Sequence, residues 1–150
     1  MLRPLADELR IIRAYLEVER LRLGDKLRVE IDVSPEALEV PIPVFSIQPL
    51  VENAIKHGIA PKADGGLVKV EVSTQPGGIR ILVRDSGPGF AAASSKGGGA
   101  GVGLDNVARR LDLCFGAEAA LSVESDASGT TASFMIPASL PVLRSAEAIP

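Results

Sequence analysis

The chain has 150 residues, of which 46% are hydrophobic and 23% are charged. This length and composition suit one globular domain with a full core and exclude a disordered tail. A net charge of −3 and an aromatic content of 3% argue against nucleic acid as a partner. The N-terminus does not resemble a signal peptide, apolar runs stay well below the roughly 18 residues of a membrane span, and the one cysteine, Cys114, cannot form an internal disulfide. We therefore expect a cytoplasmic chain without direct membrane contact.

The first predicted elements are a helix over residues 4–23 and a strand over residues 27–33. In the helix, apolar residues recur on one face, and Glu8 lies in the opening turn, where an acid complements the helix dipole. In the strand, apolar and charged residues alternate, which is the pattern of a half-buried strand. Pro41 and Pro43 then separate this region from the next helix.

The next predicted helix, residues 47–58 (IQPLVENAIKHG), combines an apolar stripe with a polar face. At about 100° per residue, Lys56 and His57 lie within roughly 60° of Asn53 on that face. An amide oxygen is a ligand that suits Mg²⁺, and a lysine one turn away can neutralise phosphates. Many amphipathic helices carry such residues on a solvated face, so this helix alone leaves both interpretations open.

Two strands follow, at residues 67–72 and 79–83, and the QPGG sequence between them predicts an antiparallel hairpin. The second strand runs into Asp85, which precedes two glycines. A half-buried carboxylate at this position needs hydrogen-bond donors, and the exocyclic amine of adenine can supply one. The alternative is a simple turn, since the residue types of DSGPG all suit one.

Residues 91–99 (AAASSKGGG) are small and flexible, and we predict a mobile lid there. The glycines continue to Gly103, directly before a helix predicted from Leu104 to Phe115. Glycine backbone can wrap phosphates, and a helix N-terminus presents free N–H groups to anions. A Walker A loop is excluded because Leu104 stands where its lysine must be, and no dinucleotide fingerprint fits. A flexible linker is the remaining alternative.

The last two predicted strands cover residues 119–125 and 130–136. Helices and strands mix without strict alternation, which predicts an α/β (α+β) two-layer sandwich with one mixed β-sheet and helices packed on one face. We expect one domain over residues 1–137, with residues 1–24 as its leading helix. Residues 138–150 show no clear period and are expected to form a loosely held tail.

With these segments in view, the sequence resembles the ATP-binding domain of the GHKL superfamily, which has the Bergerat fold. QPLVENAIKHG resembles the N box, DSGPGF the G1 box, GAGVGLDN the G2 box, and the GTT at residues 129–131 the final glycine-threonine element. The four segments have the order and spacing of that family. The segments YLEVERLRLGDKL and IPVFSIQPLVENAIKHG are most similar to LytS-type sensor histidine kinases, and the resemblance extends from Leu5 to Pro137.

The resemblance implies a role for each matching position. Asn53 would hold Mg²⁺ between the phosphates of ATP, and Lys56 would contact phosphate, so these two are the candidate catalytic residues. His57 would form a wall of the pocket. Asp85 would hydrogen-bond the adenine amine, with support from Thr130 through water.

The glycine-bearing boxes would bind the rest of the nucleotide. The G1 glycines would let the loop pass under the base, and the G2 residues would close over the phosphates. The residues concerned are Gly87 and Gly89 in G1, and Gly101, Val102, Gly103 and Leu104 in G2.

The sequence departs from the family pattern at a few positions. Ser86 replaces the asparagine that is common after the G1 aspartate, which should leave base recognition intact. Pro49 stands where ATP-hydrolysing relatives have a glutamate that activates water, and Glu52 points about 100° away from Asn53 on a helix. Rapid ATP hydrolysis is therefore not expected. The phosphoacceptor histidine of the family is absent, since His57 is the only histidine.

We therefore expect the catalytic domain of a two-component sensor histidine kinase, which transfers the γ-phosphoryl group of ATP to a histidine on an upstream segment absent from this chain. Its partners would be the kinase's own dimerisation and phosphoacceptor helices and, through them, a response regulator. It would form the cytoplasmic part of a membrane-anchored sensor. The alternatives are a protein serine kinase of the anti-sigma type and a nucleotide-binding module without catalysis.

Overall fold

The computed structural model describes residues 2–87 and 99–137. This part of the chain contains ten labelled helices and strands. Between them lie three short 3-10 segments, at Gly24–Lys26, Pro35–Ala37 and Gly116–Ala119. In chain order the labelled elements are β1 (Leu2–Pro4), α1 (Leu5–Leu23), β2 (Leu27–Val33), β3 (Pro41–Pro43), α2 (Gln48–Asn53), β4 (Gly66–Gln75), β5 (Gly78–Asp85), α3 (Gly99–Phe115), β6 (Ser122–Asp126) and β7 (Gly129–Pro137).

The main sheet contains five strands in the order β2-β4-β5-β7-β6. β2 and β4 are parallel, and the other neighbouring pairs are antiparallel. The β4–β5 pair is the hairpin that the QPGG turn predicts. The register places Asp85, the last residue of β5, directly opposite Thr130 at the start of β7. The predicted mixed sheet is therefore confirmed.

One face of the sheet is covered by helices. Alternate residues of the central strands are buried there, and they meet the apolar stripes of the helices. The strands contribute Val68, Val70 and Val72 from β4, Ile79, Ile81 and Val83 from β5, and Phe134 and Ile136 from β7. The helices contribute Leu5, Leu9, Ile12 and Leu16 from α1, Leu50 and Val51 from α2, and Val107, Leu111 and Phe115 from α3. The fold is the predicted two-layer sandwich.

A second, small sheet was not predicted. Strands β1 and β3 pair antiparallel, with Arg3 opposite Ile42. Pro41 and Pro43 were expected to be mere separators, but each can occupy a short edge strand because neither position needs an N–H donor. The small sheet brings the N-terminal residues beside the segment that leads into α2.

Two predicted boundaries are wrong. Helix α3 begins at Gly99 rather than at Leu104, so Gly101 and Gly103 lie in its first turns. Glycine lowers helix propensity, but the packing of Leu104 and Val107 against the core stabilises the helix in spite of it. Strand β6 begins at Ser122 rather than at residue 119, because a 3-10 segment extends to Ala119 and two residues connect it to the strand.

The remaining predictions for residues 88–98 and 138–150, which cover most of the lid and the tail, lie outside the described residues. Among the described helices, none has the length and apolarity needed to span a membrane.

Candidate functional site

Asp85 is a buried carboxylate at the end of a sheet strand. It is 5% exposed, and its Oδ1 atom accepts a hydrogen bond of 2.8 Å from the Gly87 N–H. A carboxylate has about four acceptor positions, so this bond leaves capacity for a donor from a ligand. The sequence predicts a half-buried acid, and the structure buries it more completely than that. The simple-turn alternative does not account for this burial.

Glycines pack against Asp85 where any side chain would collide with it. A Cβ atom on Gly58 would lie 2.5 Å from Asp85 Cγ and 2.5 Å from Oδ1. A Cβ on Gly129 would overlap the Asp85 carbonyl oxygen, and one on Gly87 would overlap the Gly58 backbone. Backbone from the segment after α2, from the G1 segment and from β7 therefore converges on one acid.

Burial raises the pKa of Asp85 above its ordinary value of 3.8. The N–H groups of Gly87 and Thr130 and the positive charges of Arg84 and Lys62 act in the opposite direction and do not cancel the effect of burial. The structure thus holds an acid at a position that disfavours its charge. A carboxylate with a raised pKa among closely packed glycines is a candidate functional group.

The residue after the acid explains a departure from the family pattern. The Ser86 hydroxyl accepts a 2.9 Å hydrogen bond from the Leu67 N–H, and the Ser86 N–H donates to the Leu67 carbonyl at 3.1 Å. Lys62 donates to the Ser86 carbonyl at 3.3 Å. Serine therefore anchors the G1 segment to β4.

Thr130 lies beside Asp85 in the sheet, as the paired boxes predict. It is 6% exposed, and its hydroxyl is 2.9 Å from that of Ser125. Asp85 and Thr130 belong to the alternate buried positions of β5 and β7 and are opposite each other in the register, so both face the helix-covered side. The structure thus brings together the acid of the G1 segment and the threonine of the last sequence box.

Helix α2 ends at Asn53 and continues as a π-helix over Ala54–Ile59. The Ala60 N–H donates to the Ile55 carbonyl at 2.8 Å, an i to i+5 bond. The prediction of a regular α-helix over residues 47–58 is therefore wrong for its second half, because each residue of a π turn advances by less than 100°. π-Helical turns within helices are frequent at functional sites.

The polar residues of this helix differ in exposure. Asn53 and His57 are half-buried and Lys56 is exposed. Burial lowers the pKa of His57, and the neighbouring Lys56 charge lowers it further. His57 is therefore neutral at physiological pH, as a pocket wall can be. Residues 2–87 and 99–137 hold no cluster of three His, Cys, Asp or Glu side chains that could bind a metal by themselves.

The glycine-rich segment is only partly described. Gly103 has open space where a Cβ would be, and Leu104 is partly buried against the core. Of the G1 glycines, Gly87 is described and Gly89 is not. For Gly101 and Val102, only their place in the first turns of α3 is described.

Some residues near the site were missed by the sequence reasoning. Glu8 was expected to be a dipole-complementing acid, but it is 1% exposed. Its spacing of three from Leu5 and four from Ile12 places it on the buried stripe, and this spacing was the available signal. The sequence gives no signal for the hydrogen bond of Arg110 to the Val44 carbonyl or for the close approach of Gly58 to Asp85, because both depend on tertiary packing.

Together, the two-layer sandwich and the glycine-lined carboxylate define the class of α/β ATPase domain that the sequence boxes predict. A family model described as histidine kinase-, DNA gyrase B- and HSP90-like ATPase matches residues 45–140. The chain belongs to this family.

Curated relatives identify the branch of the family. The chain is 36% identical over 137 residues to the sensor histidine kinase/phosphatase LytS of Staphylococcus aureus strain N315, covering 85% of this chain and 24% of that protein. It is 29% identical over 145 residues to the sensor protein LytS of Oceanobacillus iheyensis, covering 89% of this chain and 25% of that protein. The LytS-type resemblance is confirmed, and the chain spans about a quarter of the length of these relatives.

A solved structure confirms the fold. The histidine kinase domain of the blue-light activated histidine kinase from Erythrobacter litoralis EL346 superimposes with a TM-score of 0.65 at 22% identity. The superposition covers 89% of this chain and 65% of that one.

Proposed function

We propose that the chain is the ATP-binding catalytic domain of a two-component sensor histidine kinase. The observation that carries the proposal is Asp85, a buried acid with acceptor capacity left over and glycine backbone packed against it from several directions. The Gly87 N–H satisfies one acceptor position of this carboxylate, and a buried carboxylate is expected to have a further donor for the positions that remain. The family membership and the LytS-type relatives support the assignment of that donor to adenine.

Adenine recognition follows from the chemistry of the acid. The ionised carboxylate accepts from the exocyclic amine of adenine, and purines with an oxygen at that position leave this acceptor position of the acid unpaired. An unpaired buried acceptor costs about 1–3 kcal/mol, which is the source of selectivity. Thr130 lies next to Asp85 in the sheet and supports the contact through water.

The phosphate end of the nucleotide lies against α2 and α3. Asn53 offers a neutral amide oxygen that suits Mg²⁺, and its side chain is half-buried at the end of α2. When bound, Mg²⁺ supplies charge neutralisation for phosphoryl transfer. Lys56 is exposed, and in this proposal it contacts phosphate. The residues that would line or close the pocket are His57, Gly101, Val102, Gly103 and Leu104.

The reaction is transfer of the γ-phosphoryl group of ATP to a histidine on the kinase's own dimerisation and phosphoacceptor helices, followed by relay to a response regulator. Positioning and charge neutralisation suffice for such a transfer. His57 is not the acceptor, because it is half-buried within the N box. The domain then works at the cytoplasmic side of a membrane-anchored sensor.

A transfer assay tests this function. The chain is incubated with Mg²⁺ and γ-labelled ATP together with the dimerisation and acceptor segment of the Staphylococcus aureus relative. The expected product is label on that segment that is lost in acid and stable in base, as phosphohistidine is. Acid-stable label on serine, or no label from a chain that binds ATP, would refute the kinase assignment.

A further inference from the structure

The segment that leads into α2 is held by contacts from β1, α1 and α3. Four residues make these contacts, and we call them the Glu8 latch: Arg3, Glu8, Phe45 and Arg110. Glu8 Oε2 pairs with Arg3 Nε, and Glu8 Oε1 accepts a 3.1 Å hydrogen bond from the Phe45 N–H. The Arg3 guanidinium also lies 5.7 Å from the centre of the Phe45 ring.

A glutamate is an unfavourable residue at this buried position unless its hydrogen bonds are needed. Its side chain is 2% exposed, on the stripe of α1 that otherwise carries Leu5, Leu9 and Ile12. A buried ion pair often stabilises a fold no better than apolar residues of similar volume. What an apolar residue at this position could not do is accept the Phe45 N–H.

Phe45 is the only non-glycine residue of the described ranges with a positive φ, at 58°. The left-handed conformation crowds the Cβ of an L residue against its own backbone. Burial of the ring does not drive it, because Phe45 is 48% exposed. Strain of this kind persists only where the surroundings impose it.

Arg110 of α3 completes the restraint from the other side. Its Nη1 atom donates to the Val44 carbonyl at 2.8 Å and to the Phe45 carbonyl at 3.4 Å. The N–H of Phe45 is thus bound by α1, and the carbonyls around it are bound by α3. A groove of about 270 Å³, lined in part by Phe45, Pro49 and Gly103, lies between α2 and α3 at this point.

The Glu8 latch lies where a small rotation of the backbone would move the residues that are proposed to bind Mg²⁺ and phosphate. Phe45 is three residues before α2, and Asn53 is the last residue of that helix. A helix is rigid over two turns, so the dihedral angles at its entrance set where its far end points. Arg110 is seven residues from Gly103, which is about two turns of α3.

We propose that Glu8 and Arg110 are positioning residues that, by holding Phe45 in its left-handed conformation, fix Asn53 of α2 relative to the glycine-bearing start of α3. This proposal rests on the proposed function, in which Asn53 acts at the metal and phosphate end. Asp85 is on β5, and the groups that act on its carboxylate, Gly87, Thr130, Arg84 and Lys62, do not belong to the Glu8 latch. Loss of the latch therefore weakens the part of nucleotide binding that depends on Mg²⁺ and leaves adenine binding unchanged.

The test compares nucleotide affinity with and without Mg²⁺. The variants are Glu8→Met and Arg110→Met, titrated calorimetrically with a non-hydrolysable ATP analogue. The Mg²⁺-dependent gain is the ratio of the affinities measured with and without Mg²⁺. In each variant this ratio is expected to fall about tenfold, which is the size of effect that loss of a hydrogen bond to a charged group can produce. Without Mg²⁺ the affinity should stay within about twofold of the parent chain. Arg3 is 29% exposed and can stay hydrated when Glu8 is replaced, so the variant is expected to fold.

Matched controls come from the same helices. Glu19→Met removes another ion-paired glutamate of α1, whose partner is Arg22, and Arg109→Met removes the exposed neighbour of Arg110. Both controls should bind like the parent chain. Adding Phe45→Gly to Glu8→Met should restore part of the Mg²⁺-dependent gain, because glycine adopts a positive φ without the Cβ contact.

Two results would overturn the positioning role. One is an equal loss of affinity with and without Mg²⁺ that accompanies a loss of thermal stability. The other is unchanged affinity under both conditions. Amide hydrogen exchange over residues 46–53 provides a measure that needs no nucleotide. It should rise in Glu8→Met and not in Glu19→Met, and unchanged exchange would also refute the latch. A parent chain that binds no nucleotide while this exchange rises would refute the proposed function and leave the latch supported.

Discussion

Asp85→Asn should reverse the preference of the site among purine nucleotides. In the parent chain, Oδ1 of Asp85 accepts from the Gly87 N–H, and the remaining acceptor capacity meets the ligand. Asparagine has the same shape but one oxygen and one amine. Its oxygen is retained by the Gly87 N–H, so its amine faces the base, where the amine of adenine also donates.

The size of the effect follows from the lost hydrogen bond. A hydrogen bond to a charged group contributes about 1.5–3 kcal/mol, so ATP should bind the variant about 10- to 150-fold more weakly. Inosine triphosphate carries an oxygen in place of the adenine amine and can accept from asparagine. A neutral hydrogen bond contributes about 0.5–1.5 kcal/mol, so the variant should prefer inosine triphosphate to ATP by a few-fold to about tenfold.

The assay is calorimetric titration of the parent chain and the variant with both nucleotides, in the presence of Mg²⁺. Thermal unfolding of the variant without nucleotide shows that the fold is retained. A variant that is folded and still prefers ATP to inosine triphosphate would refute the reasoning that Asp85 reads the base.

Three further predictions concern the same site. Gly58→Ala should abolish nucleotide binding in titration and lower the midpoint of thermal unfolding, because its Cβ would lie 2.5 Å from Asp85 Oδ1. Normal binding by this variant would contradict the packing of Gly58 against Asp85. Gly103→Ala has open space and should stabilise α3 by up to about 1 kcal/mol in chemical unfolding, and a destabilised variant would contradict a helical Gly103. The pKa of Asp85 is raised in the folded chain, so the unfolding free energy of the parent chain falls as pH rises above 3.8 and the acid ionises. Asp85→Asn removes the ionisable group and therefore this loss of stability. The variant's gain in unfolding free energy should therefore be largest near neutral pH and shrink towards pH 4, and a gain that grows on acidification would contradict the raised pKa.

The sequence predicts those parts of the fold that local patterns determine. The stripe of α1, the alternation of β2 and the turn between β4 and β5 each predict their element to within a residue or two. The G1 and glycine-threonine boxes predict Asp85 and Thr130 as neighbours, because family resemblance carries tertiary information that periodicity lacks. The structure confirms that the two are opposite each other.

The rest depends on contacts between distant segments. Strand β3 exists because β1 pairs with it, and no pattern in residues 41–43 indicates a partner 39 positions away. The π-helical turn after Asn53 and the helical start of α3 are tertiary outcomes that override local propensity. Glu8 shows the same limit, since its i+3 and i+4 spacing indicates burial but not the Phe45 N–H as its partner.

The central claim is that Asp85 binds the adenine of ATP. Its most direct test is calorimetric titration of the chain and of Asp85→Ala with a non-hydrolysable ATP analogue, with and without Mg²⁺. We expect one nucleotide per chain, tighter binding with Mg²⁺, and no measurable binding to a folded Asp85→Ala variant. Equal affinity of the two proteins, or no binding to the parent chain under either condition, would contradict the account.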